Sequence, residues 1–111
     1  MQAWHVLDHG EPPVRVEIAA PTPAKGEIVV RVEAIGLNFA DMLAIQGKYQ
    51  VRQTPPFIPG MELSGVVDTL GPGVSGPPVG TRVLATCSAG ALAERICLPA
   101  QRLTPLPAEM G

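Results

Sequence analysis

Aromatic residues are scarce in this chain: two Phe, one Trp and one Tyr among 111 residues. A core of this size must therefore be built from Val, Leu, Ile and Ala. Cysteine is nearly as rare, with only Cys87 and Cys97. They form no C-x-x-C and have no neighbouring His, which excludes the usual spacing of a metal site. The expectation is two buried, reduced thiols. Basic residues are few and dispersed from Arg15 to Arg102, and eight Lys and Arg face ten Asp and Glu for a net charge of −2. Nucleic acid and anionic membrane surfaces are not expected partners. No apolar run approaches the ~20 residues a membrane helix needs. The opening "MQAWHVLDHG" has no basic leader followed by an apolar stretch, so the expected location is the cytoplasm.

Punctuation, by contrast, is abundant. Thirteen prolines and twelve glycines are spread along the chain, and both residue types break long helices. With 46% hydrophobic and 16% charged residues, the composition is that of one globular domain made of short elements. A first strand is expected within 4–10, ending at Gly10. Residues 14–20 alternate, with Val14, Val16 and Ile18 on one face. The strongest strand is 27–38, with Ile28, Val30, Val32 and Ala34 inward and Arg31 and Glu33 outward.

At 38–47 the period changes to that of a helix, with Phe39, Met42 and Leu43 on its apolar face. Asn38 can cap it and Gly47 can stop it. Residues 48–60, with three prolines, read as an ordered loop. Strands follow at 62–71, 81–87 and 91–98, the last against its helix propensity because Gly90 and Pro99 bracket so short a stretch. Gly65 marks a bulge or a close backbone approach. Gly71 and Gly73 form a hairpin turn and not a phosphate loop, since no third glycine follows at the required spacing. The fold class is mainly β, a partly open barrel with one or two short helices.

Polar residues in apolar settings are Asn38, Asp41, Tyr49, Glu62 and Thr86. Each has a plain structural explanation: Asn38 and Asp41 as helix caps, Tyr49 as a half-buried loop aromatic, Glu62 as the partner of Arg52 or Arg82. His5 and His9 read as surface residues. The residues alone thus support a β-rich domain with a candidate polar cluster.

"VRVEAIGLNFADMLAIQGKY" (30–49), "PPFIPGMELSGVV" (55–67) and "GVSGPPVGTRV" (73–83) carry more. The motifs G-x-N-F-x-D and P-x-x-P-G-x-E-x-x-G resemble the N-terminal, GroES-like domain of medium-chain dehydrogenases/reductases. Within that superfamily they are most similar to the zinc-independent quinone oxidoreductase (zeta-crystallin-like) branch. The resemblance implies a substrate-side catalytic domain over 1–111. It also implies a Rossmann domain that this chain does not include, so the expectation is a piece of a longer enzyme.

Zinc-dependent relatives place a cysteine ligand where Asn38 stands and a histidine ligand where Met61 stands. Amide and thioether are poor ligands for zinc, so no metal is expected. The resemblance implies NADPH or NADH as cofactor, a quinone or other conjugated carbonyl as substrate, and a homodimer. Asn38 would contact the nicotinamide or the acceptor oxygen, and Tyr49 would line the pocket. Asp41 and Glu62 would support the site, with Glu62 contacting an arginine or a backbone amide. Thr81 departs from the family's usual aspartate. An alkenal or enoyl reductase of the same branch is the alternative within the enzymes; outside them it is a GroES-like binding or oligomerisation module.

Overall fold

A computed structural model describes residues 1–36, 39–48 and 53–107. Among the described residues, seven strands, one helix and one short 3-10 turn follow one another along the chain. Strands β1 (Gln2–His5) and β2 (Val14–Glu17) form a two-stranded sheet. A second sheet runs in the order β6-β3-β4-β5-β7, from β3 (Glu27–Gly36), β4 (Glu62–Leu70), β5 (Arg82–Thr86), β6 (Arg95–Pro99) and β7 (Thr104–Pro105). Every pairing is antiparallel. The five-stranded sheet ends on β6 and β7 and does not close on itself, which agrees with a mainly β, partly open barrel.

The core lies on one face of the larger sheet. Ile28, Val30, Leu63, Val67, Val83, Ile96 and Leu98 alternate along their strands and meet there, with Ala91 and Leu103 closing the cluster from the connections. Branched aliphatic residues thus fill the role that aromatics usually share. Gly65 sits in the middle of this arrangement. A Cβ there would fall within 3.0 Å of the Arg31 carbonyl oxygen and 2.8 Å from Val30 Cγ1. The close backbone approach expected at Gly65 is present.

Three strand assignments differ from the sequence reading. β1 begins at Gln2 and ends at His5, and beyond it Val6 makes only an isolated bridge to Phe57. β6 covers only the second half of 91–98. In β3, Ala34 points outward, against the expected alternation. The cause is the register shift at Val32/Ala34, where the pairing with β4 skips Glu33 and offsets the period-two pattern. Val29 keeps the alternation and is buried on the face opposite Ile28 and Val30. The tail also forms β7, which two prolines had concealed. Val14 lies on the expected face of β2, but at 40% exposure that face is only partly covered.

Helix α1 (Phe39–Ile45) is seven residues long. Its end is a Schellman motif: the amide of Lys48 donates to the Leu43 carbonyl at 2.8 Å, and that of Gly47 to the Ala44 carbonyl at 3.0 Å. Gly47 has φ +73°, the left-handed conformation that this stop requires. Of the expected apolar face, Met42 is contradicted: it is 58% exposed, while Asp41 and Ala44 are buried at 1% and 3%. Leu43 is half-buried, and the Phe39 side chain lies outside what is described. In a two-turn helix, orientation follows from where the chain enters and leaves rather than from a hydrophobic stripe.

The dispersed arginines also find an order that the sequence hid. Register sets Arg95 opposite Arg31, Arg31 opposite Val66, and Val66 opposite Arg82. Directly paired residues share a face, so three arginines form one lateral row. Asp68 partly offsets it, with an ion pair to Arg95 at 3.4 Å.

Candidate functional site

Two of the motif residues, Gly36 and Glu62, meet where β3 ends and β4 begins. Gly36 pairs with Glu62, and Glu62 with Thr86, so the last residue of β3 and the first of β4 lie side by side with β5 beyond. The Glu62 carboxylate folds over Gly36: a Cβ at position 36 would stand 2.8 Å from its Oε1. Gly36 therefore supplies the space that Glu62 occupies.

Behind Glu62 the chain is held by its backbone. The Met61 carbonyl accepts the Cys87 amide at 2.8 Å, Gly60 accepts the Ala91 amide at 3.1 Å, and Pro59 accepts the Leu92 amide at 2.9 Å. Gly60 has φ +106°, and a Cβ on it would lie 2.9 Å from the Ala91 methyl. The "PGME" stretch is thus clamped against residues 87–92 by backbone contacts that tolerate no side chain at Gly60. A small cleft of about 200 Å³ opens beside it, lined by Ala34, Ile35, Gly36, Glu62, Ser64 and Leu84. Leu84, 44% exposed, gives it an apolar wall. A roomier pocket of about 360 Å³ lies on the other side of the same β3 segment, against Trp4 and Leu92.

Of the expected site residues, Asp41 and Glu62 are described and Asn38, Tyr49 and Arg52 lie outside the described residues. Asp41 is buried within α1. Glu62 is exposed at the start of β4, so water solvates its charge and no partner is demanded. The expected pairing with Arg82 is not made. Arg82 lies opposite Val66, four residues along β4 from Glu62, a separation of about 13 Å. Ion pairs between described residues join Arg95 to Asp68 and the N-terminal amine to Glu17; neither involves Glu62.

Cys87 and Cys97 are half-buried rather than buried. Burial pushes the Cys87 thiol above the ordinary 9.0, aided by the Asp41 carboxylate and opposed by the backbone at Ala89. Burial also raises Cys97, with Glu27 adding to it. Both are weak nucleophiles at neutral pH. Cys87 Sγ lies 3.5 Å from the Gly60 carbonyl, which places a thiol behind the site that spacing alone did not reveal. His9, expected at the surface, is half-buried and hydrogen-bonded to the Gln53 carbonyl at 2.8 Å.

Among the described residues, no three His, Cys, Asp or Glu side chains come together. Met61, next to Glu62, offers a thioether, a poor ligand for zinc. In the G-x-G at 71–73, Gly71 is packed inward: a Cβ on it would be 2.6 Å from the Ala24 carbonyl oxygen, and its amide is spent on the Glu27 carbonyl rather than left for a phosphate.

Residues 24–108 match the family of alcohol dehydrogenase GroES-like domains. The chain belongs to that family. The human synaptic vesicle membrane protein VAT-1 homolog-like is 40% identical to this GroES-like domain over 93 residues, 84% of the chain and 22% of that protein. Its crystal structure superposes on the whole chain with a TM-score of 0.94 at 35% identity, covering 37% of the solved chain. The quinone oxidoreductase-like protein 2 of Bos taurus is 38% identical over 100 residues, 89% of the chain and 29% of that protein. The quinone oxidoreductase of Thermus thermophilus, solved also as its NADPH complex, covers all of the chain with a TM-score of 0.87 at 43% identity. The GroES-like domain spans 34% of that solved chain. Its relatives thus include oxidoreductases of the medium-chain superfamily. Among the described residues, no helix is long and apolar enough to cross a membrane.

Proposed function

We propose that this GroES-like domain is the substrate-side domain of an NADPH-dependent, zinc-independent quinone oxidoreductase, acting together with a nucleotide-binding Rossmann domain. The observation that carries the reading is the likeness to the Thermus quinone oxidoreductase over the entire chain at 43% identity. The thioether of Met61 at a would-be ligand position supports its metal-free character. A homodimer located in the cytoplasm completes the proposal.

When bound, the nicotinamide supplies hydride or electrons to the acceptor. The domain's own residues bind and orient. Asn38 holds the acceptor oxygen or the carboxamide by hydrogen bonds, and Tyr49 lines the pocket. Asp41, buried in α1, anchors the helix between them, and Glu62 over Gly36 fixes the adjoining strand ends. A quinone is already electron-poor, so it needs less polarisation than an aldehyde, for which a metal Lewis acid is the usual aid.

The test is NADPH oxidation by the domain joined to its nucleotide-binding partner, with quinones, alkenals and aldehydes as acceptors. Turnover is expected with quinones, undiminished by a zinc chelator. Activity that requires zinc, or a preference for simple aldehydes, refutes the reading; a preference for alkenals moves it to the alkenal reductases of the same branch.

A further inference from the structure

His9 joins two segments that sequence keeps apart. Its Nε2 lies 2.8 Å from the Gln53 carbonyl oxygen, so Nε2 carries the proton and donates. Its ring also covers Gly47, where a Cβ would stand 2.7 Å from His9 Cγ. The third contact is with Phe57, the ring centroids 6.1 Å apart and tilted at 54°. The flanking backbone reinforces this: Gly10 donates to the Ile45 carbonyl at 3.0 Å, and Val6 and Phe57 exchange bonds of 2.7 and 3.2 Å. Residues 6–10 therefore run as a strap across the end of α1 and the segment 53–57, with the His9 ring at their junction.

We propose that His9 is a positioning residue for the site: it locks the end of α1 to residue 53 and so sets the helix that Asn38 precedes and Tyr49 follows in sequence. This rests on the functional reading above for its catalytic consequence, and on the strap alone for its structural one. Gly47 belongs to the same device, since its missing side chain makes room for the ring. A tight helix stop needs glycine there for its φ; the imidazole gives that position a second reason to remain bare.

Two measurements separate the structural from the catalytic consequence. In the chain itself, hydrogen exchange at the Gly47, Lys48 and Phe57 amides should quicken about tenfold in His9→Ala, while Val83 and Leu98 in the core keep their rates. His9→Gln, whose amide can still reach the Gln53 carbonyl, should restore most of the protection. Equal acceleration across the whole sheet, or none at 47, 48 and 57, overturns the clamp. In the chain joined to its nucleotide-binding domain, His9→Ala should raise KM for the quinone about tenfold with kcat changed less than about threefold, and His9→Gln should recover it. An unchanged KM, alongside an Asn38→Ala variant that loses activity, overturns the positioning role. If Asn38→Ala has no effect, the functional reading fails instead, and the exchange rates decide the clamp by themselves.

Discussion

Gly65→Ala offers the sharpest test of how this sheet is packed. Position 65 is in β4, with β3 on one side and β5 on the other. Its backbone is extended, so alanine meets no penalty from φ. The cost is entirely one of space. The new methyl would lie within 3.0 Å of the Arg31 carbonyl oxygen and 2.8 Å from Val30 Cγ1, with the Arg31 carbonyl carbon at 3.1 Å. Val30 can adjust a rotamer, but the Arg31 carbonyl is backbone and can yield only by moving β3. Overpacking of this kind costs about 1–3 kcal/mol. Displacing the strand weakens one or two ladder bonds at about 1 kcal/mol each. The sum is about 2–5 kcal/mol, a large share of the roughly 5–15 kcal/mol that holds a domain of this size. Urea unfolding should show a lower midpoint at an unchanged slope. Gly80→Ala is the control: Gly80 has φ +93° with nothing within 4 Å of a Cβ, so it costs only the conformational penalty of about 1–2 kcal/mol. If Gly65→Ala proves no more destabilising than Gly80→Ala, the close approach of β4 to β3 is not what position 65 serves.

Arg31→Thr should stabilise the domain by a few tenths of a kcal/mol to about 1 kcal/mol, because it removes a like charge facing Arg95 and adds a strand former; raised salt should shrink the difference, and a loss of stability would refute the repulsion. Asp41→Ala should cost about 1–3 kcal/mol in urea unfolding, since it strips a polar group from a buried setting whose partners stay behind. Both thiols have folded pKa values raised above the ordinary 9.0, so the folded state holds its protons longer. Their contribution to stability is whole below about pH 9 and is lost as pH rises through the folded values. A Cys87→Ala/Cys97→Ala variant should accordingly lose less stability between pH 8 and pH 10.5 than the natural chain. A disulfide reagent should label both cysteines faster in urea than in buffer.

The sequence made some elements plain and left others hidden for identifiable reasons. β4 was legible because Leu63, Val67 and Gly65 keep an unbroken alternation between polar neighbours. β3 was legible as a strand, but its register shift at Val32/Ala34 acts between strands and leaves no trace in one strand's pattern, so Ala34 was placed inward. The α1 stop could be read from Gly47, since a left-handed terminus selects glycine locally. Its buried face could not, because attachment of the helix's end to residues 9 and 10 is a tertiary matter that a hydrophobic stripe does not show. For Glu62, exposure and register removed the need for Arg82, because a strand's own pattern does not tell which residue of its neighbour lies opposite. His9 and the arginine row were invisible for one shared reason: each depends on residues that are distant in sequence and become neighbours only in the folded sheet.

The contact between Glu62 and Gly36 couples the two positions only loosely. A methyl at 36 would meet the carboxylate end of an exposed side chain and no backbone atom, so Glu62 can swing into solvent and make room. The strand ends at this corner are therefore free to change one residue at a time, unlike the backbone-walled position 65. A double-mutant cycle of Gly36→Ala with Glu62→Ala should show a coupling at the low end of the about 0.5–3 kcal/mol seen for touching residues.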